Sequence, residues 1–380
     1  MKLILLCLVA VGALDVFQES NLKFSSNLYQ ELGKTNDGDF VVCSLSLQLI
    51  LGLLHVAAQG ETAGQLAEGL HLPNNVSETL QIFGNATPQV ERNVRHFVAN
   101  IVNKVYVHEK FAIEPRFRDV AADVFRADIE NVNFNEKEAT SAQINNWMEG
   151  KTLNNIKNFV TGRDISPDSQ VMLINSIYLQ GVWENAFTST KKQRFYTNHS
   201  NFFEIDMMEQ KKVFSYYESE KLHAKMLKMK YQQSKYAMVI VLPNDQAGLS
   251  RLEANMPETF REPHYISAQV QVRIPKFKVN AAIQLIPILQ EMGIRDVFAT
   301  SANLRGMGEP QVYVNQIVQR NYVDVNENGT IAVSATRASA RLGRPRKVQE
   351  REFVADHPFI YYVRSPVGIV FVGRFTGIHL

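Results

Sequence analysis

Apolar residues recur along this chain with two different periods, and each period marks a type of element. Phe117, Val120, Ala121, Val124 and Phe125 fall at i, i+3, i+4, i+7 and i+8, which is one face of a helix. Pro115 suits the start of that helix, where the missing N–H costs no bond. Ile144, Trp147 and Met148 mark a second helix, and Leu285, Leu289 and Met292 a later one. Helical spacing dominates the first 160 residues, with strands between and beyond. Val171 to Leu179 is almost continuously apolar around Asn175 and Ser176, and Tyr236 to Leu242 is similar; such runs suit strands buried on both faces. Ile266, Ala268, Val270, Val272 and Ile274 alternate, which predicts a half-buried strand. Phe359–Val363 and Ile369–Val372 flank Arg364-Ser365-Pro366-Val367-Gly368 and predict a closing hairpin. Helices first and strands later, with mixing throughout, predict an α+β fold rather than repeated βαβ units.

One segment alternates in an unusual way. Thr330, Ala332, Ser334, Thr336, Ala338, Ala340 and Leu342 share one parity, are uncharged and are mostly small. The other parity holds Ile331, Val333, Ala335, Arg337, Ser339 and Arg341. In a strand these sets point to opposite faces, so one face can lie on a core while the arginines point away. No proline interrupts a ladder before Pro345. The segment then ends in Gly343-Arg344-Pro345-Arg346-Lys347, which is attractive to a trypsin-like protease. It reads as both an exposed loop and a strand that can be inserted.

Composition places few limits on function. The 380 residues carry a net charge of +2 with 45% hydrophobic content, which argues for no nucleic-acid or membrane partner. Lys2, the apolar run Leu3 to Val11 and small Gly12 and Ala13 form a secretory signal pattern. Residues 1–13 are therefore expected to be removed, leaving one domain over 14–380 in an extracellular protein. Cys7 would leave with the signal, so Cys43 would be the only thiol; its apolar run, Phe40-Val41-Val42, predicts burial without reactivity. Sequons occur at Asn75, Asn85, Asn198 and Asn328, with Pro88 disfavouring Asn85.

Catalytic and metal motifs are missing. There is no G-x-S-x-G, phosphate-binding loop or C-x-x-C. His108-Glu109 has Ala112 where a zinc helix needs its second histidine. His357, before Pro358, reads as structural. Lys191-Lys192-Gln193-Arg194 and Lys211-Lys212 read as solvated turns; a polyanion cofactor is conceivable there but unsupported. No enzyme activity, metal or cofactor is expected.

Leu173-Ile174-Asn175-Ser176-Ile177-Tyr178-Leu179-Gln180-Gly181-Val182-Trp183 with Phe187 resembles the serpin signature of the Asn-Ala-Ile-Tyr-Phe-Lys-Gly-x-Trp type. Ile144-Asn145-Asn146-Trp147, Ile274-Pro275-Lys276-Phe277, Met292-Gly293-Ile294, Ala355-Asp356-His357-Pro358-Phe359 and Phe371-Val372-Gly373-Arg374 are serpin-like too, and in the right order. The resemblance implies three β-sheets, about nine helices and an exposed reactive-centre loop at about 327–352. It implies a monomer that traps a serine protease: the protease cuts the loop, forms an acyl-enzyme, and is carried off as the loop enters the main sheet. Glu327, Asn328, Gly329 and Thr330 then match the hinge, followed by Ala332, Ser334 and Thr336 on the inserting face. A charge on that face would be buried unpaired. Cys43, Ser46, Asn175, Trp183 and Gln319 map to the region where the sheet opens.

Several positions depart from the family pattern. Cys43-Ser44-Leu45-Ser46 replaces Ser-Pro-x-Ser, and Gln319 replaces a common histidine while keeping the ability to hydrogen-bond Asn175. Ile331 stands where glutamate is common, and Val333-Ser334 interrupt an alanine-rich run. A glycan on Asn328 would obstruct insertion, so that sequon is expected to be empty in an inhibitor. The cleaved bond has competing registers. Spacing from Glu327 points to Gly343–Arg344, and spacing back from Phe353 points to Arg344–Pro345, where the proline is unfavourable. Arg341–Leu342 has better local chemistry but a shorter inserting strand, whereas Lys347–Val348 lengthens it. A trypsin-like target is expected, with Arg341 and Arg344 leading and small Gly343 as the alternative. Competing functions are a non-inhibitory serpin (carrier, storage protein or chaperone) and an inhibitor of cysteine proteases. The uncharged inserting parity favours inhibition.

Overall fold

The structure, a computed structural model, describes residues 2–154, 156–330 and 350–378. In chain order the elements are α1 (Lys2–Thr35), β1 (Phe40–Val42), α2 (Ser44–Ala57), α3 (Gly60–Gly69), α4 (Val76–Ala86), β2 (Arg92–Val94), β3 (Phe97–His108), β4 (Ala112–Ile113), α5 (Pro115–Asp123), β5 (Ala127–Val132), α6 (Lys137–Lys151), β6 (Val171–Val182), β7 (Ser189–Tyr196), β8 (Phe202–Ser219), β9 (Ala224–Lys230) and β10 (Ala237–Pro243). They continue with α7 (Leu249–Glu253), α8 (Met256–Phe260), β11 (Ile266–Pro275), β12 (Phe277–Ala282), α9 (Leu285–Glu291), β13 (Gly308–Glu309), β14 (Val314–Val318), β15 (Arg320–Val325), β16 (Gly329–Thr330), β17 (Glu350–Val354), β18 (Phe359–Ser365) and β19 (Gly368–Phe375). Nine α-helices thus lie among the described residues, as the resemblance implied.

The first sheet runs β12-β15-β16-β6-β3-β2, with β14 also on β6 and β5 on β3. A second sheet runs β1-β19-β18-β10-β9 and joins the end of β8, residues 215–219, while residues 202–216 of β8 belong to a third sheet with β7, β11 and β17. The 18-residue β8 serves both, which is why they count as one hydrogen-bonded ladder. A short β4–β13 ribbon stands apart.

Two cores lie on the two faces of the first sheet. On the inner face Leu173, Ile177 and Leu179 join α1, α2 and the second sheet in one large cluster. On the outer face Met172, Ile174 and Tyr178 pack with Ile144 and Met148 of α6. Every residue of β6 except Gln180 is buried, which explains its lack of alternation. β11 alternates from Ala268 to Ile274 as expected, but Ile266 at its start is exposed.

The first 160 residues are mostly helical with strands between, as expected, and the longest of those strands, the twelve-residue β3, lies inside the first sheet. Its central Lys104 is buried because Glu130 pairs with it and the rings of Tyr106 and Trp147 each lie 4.9 Å from its ammonium. One expectation needs correction: the basic clusters are not turns, because Lys191–Arg194 lie in β7 and Lys211-Lys212 in β8. Lys191 pairs with Glu209, Lys192 with Asp206 at 3.0 Å and Lys211 with Glu350 at 2.9 Å. Carboxylate pairing accounts for Lys191, Lys192 and Lys211, and Arg194 lies over the Phe202 ring at 4.4 Å. Residues 2–13, expected to be a signal, form the first part of α1.

Candidate functional site: a slot in the first sheet

β6 and β15 diverge like the sides of a V. Parallel pairing of β14 with β6 ends at Val318 and Ile174. Higher up, β16 bridges the two strands: Thr330 pairs with Val325 on one side and Gly181 on the other, and Gly329 pairs with Val182. Between these levels no ladder pair joins residues 175–180 to 320–324 among the described residues. A cavity of about 240 Å³ lies there, lined by Ser176, Tyr178, Asn321 and Val323, and capped by Thr330. Strand edges with free backbone donors and acceptors are templates for another strand.

The segment expected to be the hinge, residues 327–330, is anchored at the top of the slot. The backbone N–H groups of Trp183 and Phe187 donate to the carbonyls of Asn328 and Glu327, each at 2.9 Å. The Trp183 indole donates to the Asn326 carbonyl at 3.0 Å. Asn326 itself closes the turn, its Oδ1 accepting from the amides of Asn328 and Gly329 at 3.0 and 3.3 Å. Glu327 accepts from Thr190 Oγ1 at 2.8 Å and pairs with Lys276 at 3.1 Å. Partial burial disfavours the Glu327 carboxylate, but its own amide, Thr190 and Lys276 outweigh that and hold the carboxyl below its usual range. At Gly329 an added Cβ would meet the Gly181 carbonyl oxygen at 1.9 Å, so only glycine permits this close approach. Thr330 is buried and shares a 2.7 Å hydrogen bond with the Tyr231 hydroxyl. Tyr231 stacks on Trp183 with ring centroids 4.6 Å apart, and burial raises the pKa of its hydroxyl, which therefore stays protonated.

At the bottom of the slot a polar clasp spans the two sides. Gln319, just past the end of β14, donates to Asn175 Oδ1 on β6. It also holds the start of α2, accepting from the Cys43 amide at 2.8 Å and donating to the Cys43 carbonyl at 3.1 Å. Ser46 Oγ donates to Asn175 Oδ1 at 3.2 Å, and Asn321 Nδ2 donates to Gln319 Oε1 at 2.6 Å. Cys43, Ser46, Asn175 and Gln319 therefore come together, while Trp183 sits at the other end of the slot with the hinge. The expected Gln319–Asn175 hydrogen bond is present. Cys43 is fully buried, and burial pushes its thiol up to about 12. It is expected not to react with a disulfide reagent in the folded protein at pH 8 and to react fully in guanidinium. Rapid labelling of the folded chain would contradict that placement.

Tyr231, Asn326, Thr190 and Lys276 escaped sequence reasoning as site residues. Only Lys276 had a signal, in the Ile274–Phe277 motif. Asn75 caps α4 by accepting from the Glu78 amide at 3.1 Å, Asn85 donates to the Gln81 carbonyl at 2.7 Å, and Asn198 accepts from Ser200 and Asn201 in the exposed β7–β8 turn. Asn328 is exposed and precedes the paired β16. Ala332, Ser334, Thr336, Arg341, Leu342, Gly343 and Arg344 lie outside the described residues. His357 is structural: its imidazole joins Asp356 at 2.8 Å and the Pro243 carbonyl at 2.9 Å.

A family model described as serpin (serine protease inhibitor) matches residues 19–378. Antichymotrypsin-2 of Bombyx mori is 27% identical over 95% of this chain and 98% of that protein. Antitrypsin of the same species is 28% identical over 95% and 94%. The solved structure of a highly specific serpin from the insect Tenebrio molitor is 28% identical, covers 96% of this chain and 99% of its own, and superposes with a TM-score of 0.87.

Proposed function

Because the chain belongs to the serpin family, we propose that it is a suicide-substrate inhibitor of trypsin-like serine proteases that inserts its cleaved loop between β6 and β15. The observation that carries this reading is the slot, with β16 already paired at its top. Continuing the antiparallel register from Thr330 opposite Gly181 would set Ala332 opposite Leu179, Ser334 opposite Ile177 and Thr336 opposite Asn175. Leu179 and Ile177 belong to the inner core, so the uncharged parity would meet that core and the parity of Arg337 and Arg341 would face the other way. About a dozen new ladder bonds at roughly 0.5–1.5 kcal/mol each give on the order of 10 kcal/mol, comparable to the whole stability of a domain. A closed-sheet state with that much still to gain is secured kinetically.

Arg341 and Arg344 support a target that cuts after basic residues, and the likeness to antichymotrypsin-2 and antitrypsin is consistent with serine-protease targets more broadly. The Lys2–Ala13 pattern supports export, and N-terminal sequencing of the exported chain should start near residue 14. Incubation with trypsin-like proteases is expected to give a denaturation-resistant band near the summed mass, and sequencing the released fragment locates the cut. Clean cleavage with no such band, and no rise in melting temperature, would sink the reading in favour of a non-inhibitory role.

A further inference from the structure

Beside the clasp lies a second asparagine, Asn103 of β3. It is register-paired with Asn175, so the two side chains leave the sheet on the same face, the face on which α2 packs. Asn103 is buried, and neither its Oδ1 nor its Nδ2 has a hydrogen-bond partner among the described residues; the same holds for Asn175 Nδ2. Asn175 Oδ1 already accepts from Ser46 and Gln319. A carboxamide oxygen offers two lone pairs, so it has none left for Asn103 while the sheet is closed.

Opening the slot changes that count. β6 is paired with β3 along Phe97–Val107, so Asn103 and Asn175 move as one unit. Gln319 is held on the other side by two hydrogen bonds to the Cys43 backbone. When β6 separates from β15, the Gln319–Asn175 bond breaks and one lone pair on Asn175 becomes free next to the Asn103 amide. We propose that Asn103 is a positioning residue for sheet opening, receiving the Asn175 carboxamide as it leaves Gln319 and forming a reciprocal amide pair that exists only in the inserted state. The inference rests on the loop-insertion reading above. It adds a residue that acts through Asn175 rather than through the loop or the protease.

The test is Asn103→Leu in the full mature chain, melted intact and again after a non-target protease has nicked the loop. A residue that merely packs shifts both forms alike. The proposal instead predicts that the rise in melting temperature on nicking is smaller in the variant than in the wild type. It also predicts that the stoichiometry of inhibition increases by roughly threefold to tenfold, the fold-change one buried hydrogen bond supplies. If Asn103→Leu does not fold, Asn103→Ala gives the same readout, because its lost packing is common to both forms. A wild-type rise with an equal rise in the variants overturns this inference alone. Absence of any rise in the wild type overturns loop insertion itself, and this inference with it.

Discussion

Thr330→Arg is expected to abolish protease trapping and leave a chain that is cleaved as a substrate. Thr330 is 2% exposed, hydrogen-bonded to the fully buried Tyr231, and flanked by β6 and β15. The acidic side chains nearest in sequence, Glu327 and Asp324, pair with Lys276 and Lys278, so a guanidinium here would find no spare carboxylate from them. Burying an unpaired charge costs several kcal/mol even after local relaxation. The intact chain can escape that cost by unpairing β16, whose pairs are few, but insertion needs β16 paired, so the cost returns when the acyl-enzyme is choosing between hydrolysis and capture. At about 1.4 kcal/mol per factor of ten, the stoichiometry of inhibition should rise on the order of 100-fold or more. Thr330→Val keeps the shape and loses only the Tyr231 bond, so it should stay within about threefold of wild type. Titrating a fixed amount of protease with each variant checks both. An arginine variant that inhibits at the wild-type ratio would show that the inner face of the slot does not receive this segment.

Gln319→Leu should strongly destabilise the intact protein. The side chain is 2% exposed and uses both ends of its carboxamide. A leucine of similar volume fills the space but strands the Cys43 amide away from water and leaves Asn175 without its partner across the slot; the Cys43 carbonyl keeps the Leu47 amide and the Ser46 hydroxyl. One buried orphan costs about 1–3 kcal/mol and the lost Asn175 bond roughly 0.5–1.5 kcal/mol, so a loss of roughly 2–4 kcal/mol is expected in denaturant melts of the intact chain. The loop-cleaved form should lose less, because opening the slot has already separated Gln319 from Asn175. Equal losses in both forms would mean that Gln319 is ordinary core packing and not a clasp across the slot.

Legibility in the sequence followed the reach of each interaction. β6 and β11 were visible because a buried strand and a half-buried strand leave period and composition in adjacent residues. Of the uncharged parity from Thr330 to Leu342, only Thr330 lies among the described residues, in β16. β3 was hidden because Asn103 and Lys104 break its apolar run, and what makes Lys104 tolerable, Glu130 and Trp147, is contributed by β5 and α6. β7 was mistaken for a turn because its exposed lysines find their carboxylates on β8. The Gln319–Asn175 bond was reached through family resemblance, since nothing near either residue announces the other. Tyr231 and Asn326 had no local signature: one supplies a hydroxyl across the sheet top, and the other a carboxamide that closes a turn.

Amide hydrogen exchange across 175–180 and 320–324, before and after the loop is cut, tests the central claim most directly. In the intact protein these facing edges have no strand between them among the described residues. Insertion of the 331–342 segment would give their free backbone groups partners, so exchange in both stretches should slow sharply on cleavage, while β11 stays unchanged. Unaltered exchange in 175–180 and 320–324 after complete cleavage would contradict the account.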